Sequence, residues 1–74
     1  MPLVDVTTEV AGTVWRIEVQ LGQPLAEDDR VMLVESMKME IPVCAPAGGT
    51  VAQILVSESA IVAEGDIVAR LELK

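Results

Sequence analysis

The chain has 74 residues, which limits it to one domain with a small core, because a chain this short buries only about 60% of its unfolded surface. Its twelve acidic and five basic residues give a formal net charge of −7, which disfavours nucleic acid and anionic membrane surfaces as partners. Polar or charged residues interrupt the apolar stretches every few positions, which argues against a transmembrane span and a secretory signal. We therefore expect a cytoplasmic protein.

Half of the residues are apolar, yet the chain has no Phe or Tyr. We expect a core of Val, Ile, Leu, Ala and Met in which Trp15 is the only large ring. Cys44 is the single cysteine and there is no histidine, so the sequence offers no internal disulfide, no metal site and no base to activate the thiol. We predict that Cys44 is buried as a small apolar residue, as free cysteines usually are.

The sequence contains an internal repeat. A shift of 37 residues aligns residues 12–35 with residues 49–72 without a gap, and ten of the 24 positions are identical. The two segments are therefore copies of one supersecondary unit. The identical pairs are Gly12/Gly49, Thr13/Thr50, Val14/Val51, Ile17/Ile54, Val19/Val56, Ala26/Ala63, Glu27/Glu64, Asp29/Asp66, Val31/Val68 and Glu35/Glu72.

Each copy opens with Gly-Thr-Val and continues with the alternation of apolar and polar residues that is typical of a half-buried strand. A polar turn region follows, and a second strand is predicted at residues 31–34 in one copy and 67–71 in the other. In the first strand of the first copy, the alternation places Val14, Arg16 and Glu18 on one face and Trp15, Ile17 and Val19 on the other. In the second copy it places Val51, Gln53 and Leu55 on one face and Ala52, Ile54 and Val56 on the other.

About eight short strands in two equivalent sets predict an all-β fold: two four-stranded antiparallel sheets that face each other as a flattened barrel or sandwich with internal two-fold pseudo-symmetry. No helix is predicted, because no stretch of about ten residues combines a helical period with freedom from Gly and Pro. The four prolines suit strand starts, edges or turns, since proline cannot donate to a central ladder: Pro2, Pro24, Pro42 and Pro46.

Lys38 lies at the seam between the two copies, inside the hexapeptide Glu-Ser-Met-Lys-Met-Glu of residues 35–40. The repeat predicts a hairpin of residues 31–35 and 41–43 with Lys38 near its tip, although no Asn-Gly or Gly-Gly turn signal is present. A two-fold axis would place this seam at one pole and the chain ends, Met1 and Lys74, at the other. One interpretation of the hexapeptide is a surface lysine with methionines that fill core gaps. The alternative is that two apolar side chains at an exposed tip are there to be recognised.

The sequence resembles the biotinyl domains of biotin carboxyl carrier proteins, which are related to lipoyl domains. The resemblance rests on residues 35–40, on Pro42, Ala45-Pro46 and Gly49, and on Gly65-Asp66 in the second copy. It covers essentially residues 1–74, which we expect to form one carrier domain. The family fold is a flattened barrel of two four-stranded sheets. Some bacterial members carry an inserted thumb, for which the gapless repeat leaves no residues.

The resemblance implies that Lys38 is the site of covalent biotin attachment by a biotin protein ligase, with Met37 and Met39 as flanking recognition residues. It also implies a non-catalytic carrier. Its biotin would accept carboxylate at a biotin carboxylase and pass it, at a carboxyltransferase, to an acceptor such as an acyl-CoA or pyruvate. Such a carrier needs no catalytic residue and no metal, and the sequence suggests neither.

Three alternatives stay open at this point: a lipoyl carrier, an unmodified hairpin-like interaction domain and, least favoured, a self-contained enzyme. Met37 and Met39 favour biotin, because lipoyl domains usually have an acidic residue before the lysine. The sequence departs from the family twice. Ser36 stands where Ala is usual, and Asp28 stands where the second copy has Gly65, so we expect the first turn to avoid the left-handed conformation. The direct start into a strand favours a free-standing small protein.

Overall fold

The computed structural model describes residues 2–73, which form eight β-strands. None of these residues lies in a helix, so the described part of the chain has no helix that could cross a membrane. The strands are β1 (Leu3–Thr7), β2 (Gly12–Ile17), β3 (Pro24–Leu25), β4 (Arg30–Ser36), β5 (Met39–Cys44), β6 (Gly49–Ile54), β7 (Ile61–Val62) and β8 (Ile67–Leu73).

The strands form two four-stranded antiparallel sheets, which confirms the predicted fold class. Sheet 1 has the order β1-β8-β6-β3, and sheet 2 has the order β5-β4-β2-β7. The body is elongated, with principal extents of 36 × 17 × 16 Å. The connections at residues 18–23 and 55–60 are equal in length, and neither carries an inserted thumb. The two prolines that lie within strands occupy the predicted kinds of position, a strand start and a sheet edge: Pro24 begins β3, and Pro42 lies on the edge strand β5.

The strand pairings repeat at the same shift as the sequence. Thr13 pairs with Glu35 in sheet 2, and Thr50 pairs with Glu72 at the equivalent place in sheet 1. Each pairing is interrupted by a register shift at the same position, between residues 14 and 16 and between residues 51 and 53. The internal two-fold symmetry of the sequence is therefore a symmetry of the fold.

The two halves exchange their shortest strands. β3 belongs to the first copy but pairs with β6 of the second, and β7 belongs to the second copy but pairs with β2 of the first. The residues between the sheets form one core, to which both copies contribute. Its members are Val6, Val14, Val19, Leu25, Val31, Met32, Val34, Val43, Ala45, Val51, Val62, Val68, Ala69 and Leu71. Neither copy closes this core alone.

The predicted alternation of the first strand is wrong because β2 contains the register shift. Val14 and Val19 are both buried, and Ile17 packs against the core with them, whereas the prediction put Val14 on the opposite face. Trp15 has no partner in the β2–β4 register and is 46% exposed, so the only aromatic ring lies outside the core. An extra residue in one strand shifts the following side chains by one position, and strict alternation cannot reveal it.

Two other predictions are also wrong. Cys44 is exposed, because Val43 points into the core and the next residue of the edge strand β5 must point outward. Asp28 has φ = 74° and adopts the left-handed conformation just as Gly65 does, with φ = 87°. Aspartate tolerates this conformation better than most residues. The predicted pole of the chain ends falls on Met1 and Lys74, which lie outside the described residues.

Candidate functional site

Lys38 lies in the hairpin that joins β4 to β5. The register of the two strands pairs Glu35 with Glu40 and Ser36 with Met39, which leaves Met37 and Lys38 as a two-residue loop. This confirms the hairpin that the repeat predicted. The hairpin corresponds by the internal symmetry to Pro2 and Leu73, where the Leu73 N–H donates to the Pro2 carbonyl oxygen at 3.0 Å.

The loop has an uncommon backbone conformation. Met37 has φ = 51° and Lys38 has φ = 66°, and a two-residue hairpin loop with two positive φ angles is a type I′ turn. This turn usually carries Asn-Gly or Asp-Gly, since a left-handed residue other than Gly costs about 1–2 kcal/mol. The loop contains neither dipeptide, so its turn type could not be predicted from the sequence. The paired strands on either side hold Met37 and Lys38 in this conformation.

The strand that leads into the turn is firmly anchored. β4 lies between β5 and β2 in sheet 2, and its residues Val31, Met32 and Val34 are fully buried. Pairing on both edges and burial restrict movement of this strand relative to the barrel. The turn therefore presents Lys38 from a fixed base.

The side chains at the tip are exposed to solvent. Met37 is 92% exposed and Met39 is 62% exposed, whereas Met32 on the same hairpin is fully buried. The interpretation that Met37 and Met39 fill core gaps is therefore wrong. Lys38 is exposed as well, and it takes part in neither of the two salt bridges found within residues 2–73. An accessible primary amine between two accessible thioethers is suited to modification by another protein.

Two carboxylates form the second residue pair from the turn. Glu35 and Glu40 are directly opposite each other on adjacent strands, and both are exposed. Like charges in this position repel and destabilise a sheet. The sequence shows both glutamates but not their pairing, which depends on the register of the hairpin.

The rest of the described chain offers little catalytic machinery. Residues 2–73 contain no group of three or more His, Cys, Asp or Glu side chains arranged to hold a metal ion. A cleft of about 320 Å³ lies between the edge strands β1 and β5, with Asp5, Thr7 and Cys44 among its lining residues. None of the lining residues belongs to the turn, and the chain has no histidine to activate the thiol.

Residues 1–71 match the model of a protein family described as "Biotin-requiring enzyme". The chain is 36% identical over 66 residues to a biotin/lipoyl attachment protein of Bacillus subtilis (strain 168), a match that covers 89% of this chain and 90% of that protein. It is 38% identical over 65 residues to the biotinylated protein TB7.3 homolog of Mycobacterium leprae (strain TN), with 88% and 92% covered.

The structure is also similar to a part of Kluyveromyces lactis urea carboxylase. The TM-score is 0.92 and the sequence identity 29%, and the match covers 97% of this chain but only 6% of that enzyme. The fold, the family model and the relatives agree, and the chain belongs to the biotin/lipoyl attachment family.

Proposed function

We propose that this protein is a biotin carboxyl carrier domain that spans residues 1–74 and carries biotin as an amide on Lys38. The observation that carries the proposal is the geometry of the β4–β5 hairpin. Its two-residue turn presents the exposed Lys38 between the exposed side chains of Met37 and Met39, and the strand that leads into the turn is anchored in sheet 2. The similarity to two relatives, a biotin/lipoyl attachment protein and a biotinylated protein, supports the same assignment.

The residues at the turn fit covalent attachment of biotin through an amide. The Lys38 Nζ attacks the acyl carbon of biotinyl-adenylate, the new C–N bond forms, the bond from acyl carbon to phosphate oxygen breaks, and AMP leaves. The amine also loses a proton. The ligase must accept this proton, because only an amine with a free lone pair can attack the acyl carbon. The amide removes one positive charge from a chain whose formal net charge is −7.

The protein would act by position rather than by bond chemistry. When bound, biotin supplies a group that can carry carboxylate between a biotin carboxylase and a carboxyltransferase, which we propose as partners. Attachment to Lys38 keeps that group at a high effective concentration near each active site. Because β4 is anchored in sheet 2, the hairpin fixes the position from which the biotinylated Lys38 side chain extends. We expect the carrier itself to be non-catalytic and to act in the cytoplasm.

Mass spectrometry of the intact protein tests this proposal. The chain is co-expressed with a biotin protein ligase in the presence of biotin, and we expect the mass increment of one biotinyl group on a peptide that contains Lys38. Lys38→Arg should abolish the increment. Lys74→Arg is a matched control, because Lys74 is the only other lysine of the sequence, and it should leave the increment unchanged.

Two results would contradict the proposal. A lipoyl increment on Lys38 in cells that contain both kinds of ligase would assign the chain to lipoyl carriers instead. No increment at all, together with no effect of Lys38→Arg on any partner interaction, would favour an unmodified interaction domain.

A further inference from the structure

The outer face of sheet 2 carries an apolar patch formed by Trp15, Leu33, Pro42 and Ile61. Leu33 pairs with Pro42 on one side and with Arg16 on the other, and Ile61 lies on the edge strand β7 opposite Thr13. Ile61 is 86% exposed and Trp15 is 46% exposed, with the Arg16 guanidinium carbon 5.3 Å from the centroid of the indole ring. Two large apolar side chains are thus accessible on one face of one sheet.

The internal symmetry supplies a control for this patch within the same molecule. The equivalent positions on the outer face of sheet 1 are Ala52, Arg70, Asp5 and Pro24. There the Arg70 Nε donates to Asp5 Oδ1 at 2.9 Å, and the Arg70 guanidinium also donates to Gln53 Oε1 at 3.1 Å. The fold therefore accepts a polar network at these positions. Leu33 is buried with 8% of its surface exposed, whereas Trp15 and Ile61 remain accessible to solvent. The barrel therefore does not require large apolar side chains at positions 15 and 61.

The patch is continuous with the Lys38 hairpin. Leu33 and Pro42 lie on β4 and β5, the two strands that form the hairpin. Between this pair and the turn lies the exposed pair Glu35 and Glu40, which belongs to the same outer face because it is two residues further along each strand. Ile61 lies in the same row as Glu35 and Glu40, because it pairs with Thr13, and Thr13 pairs with Glu35 on its other side. The face thus carries an acidic pair near the turn with Ile61 in the same row, and Leu33 and Pro42 lie further from the turn.

We propose that the outer face of sheet 2 is the docking surface for the enzyme that acylates Lys38. This inference rests on the proposed function. The surface of this enzyme that contacts sheet 2 is apolar opposite Trp15 and Ile61. It carries Lys or Arg side chains opposite Glu35 and Glu40, because positive charges there would offset the repulsion between these carboxylates. The acylating enzyme is favoured over later partners. It must reach an amine on an unextended lysine side chain, whereas later partners meet a group at the end of a longer arm.

Ligase kinetics on the full chain test the docking surface. The double variant Trp15→Ala, Ile61→Ser removes the two large exposed side chains of the patch, and Trp15→Ala installs the residue found at the equivalent position 52. With purified biotin protein ligase, ATP and biotin, we expect the KM for the carrier to rise by about tenfold with kcat nearly unchanged, since exposed Trp residues often dominate protein interfaces. Full modification at saturating carrier concentration shows that the variant is folded.

The matched control is the double variant Leu3→Ala, Pro24→Ser on the outer face of sheet 1, where Leu3 is 51% exposed. Its KM should stay within about twofold of the wild-type value, because contacts outside an interface contribute little to binding. An unchanged KM in the sheet 2 variant, or an equal rise in both variants, would overturn the docking surface while the wild-type biotin increment still supports the carrier function. Absence of that increment would overturn both.

Self-association of the wild type that the sheet 2 variant abolishes, seen by sedimentation velocity, would assign the patch to a second copy of the chain.

Discussion

Gly12 lies directly against the backbone of Glu35, and a β-carbon at residue 12 would collide with the Glu35 carbonyl oxygen and with the Val34 side chain. Gly49 has the same relationship to Glu72 in the other half. This contact accounts for the glycine that opens both copies of the repeat. It also joins β2 to the end of β4, immediately before the Lys38 turn.

Gly12→Ala should therefore destabilise the protein by about 2 kcal/mol or more, because the backbone of Glu35 must move to make room. Chemical denaturation measures the free energy of unfolding. Gly22→Ala is the control, since nothing lies within 4 Å of a β-carbon there and only its φ of 83° opposes the change. We expect a loss of about 1 kcal/mol from Gly22→Ala. Equal losses in the two variants would contradict the close contact at Gly12.

The methionines of the β4–β5 hairpin should separate into two classes. Met32→Ala removes a fully buried side chain and should cost about 2–5 kcal/mol of unfolding free energy. Met39→Ala removes a side chain that is 62% exposed and should change stability by less than about 0.5 kcal/mol. With Met39→Ala the rate of biotinylation by a ligase should fall although the fold persists. A large loss of stability in Met39→Ala would mean that the Met39 side chain packs in the core.

Met37→Asn tests the turn. Asparagine tolerates positive φ and is a preferred residue of type I′ turns, so the variant should gain about 0.5 kcal/mol of stability. We expect the ligase to modify it more slowly, because the exposed thioether is lost. Denaturation and the initial rate of biotinylation measure the two effects. A gain in stability with an unchanged rate would show that Met37 serves only to connect the strands.

Glu40→Gln should stabilise the protein, because it removes one of two like charges that lie directly opposite each other. A gain of about 0.2–1 kcal/mol is expected at low salt. The gain should shrink at high ionic strength, where exposed charges are screened. Glu64→Gln, at an exposed glutamate outside the strands, is the control and should have little effect. Destabilisation by Glu40→Gln at every salt concentration would mean that the carboxylate makes a favourable contact.

Much of the fold could be predicted because the repeat carries long-range information. The shift that aligns Gly12 with Gly49 also relates the two sheets, and it placed Lys38 in a hairpin without any turn motif. The errors arise where a local irregularity changes the direction of a side chain. The register shift at Trp15 and the outward turn of Cys44 on an edge strand follow from pairing partners, which neither residue's own neighbourhood in the sequence specifies.

The residues of the candidate site are a prediction from the sequence, whereas their conformation is known only from the structure. The hexapeptide makes Lys38 the candidate, and the structure adds the left-handed backbone of Met37 and Lys38 and the facing carboxylates of Glu35 and Glu40. Both features arise from register, because a hairpin with any other pairing would place different residues in the loop.

The exchange of β3 and β7 between the halves has a consequence for the integrity of the chain. Each half supplies a strand to the sheet of the other, so a single peptide bond cut at the tip of the hairpin would leave two interlocked fragments joined by both sheets and one shared core. Trypsin cleaves after an unmodified lysine. Acylation of Lys38 would therefore protect the turn, and a tryptic nick would mark the molecules in which this lysine is unmodified.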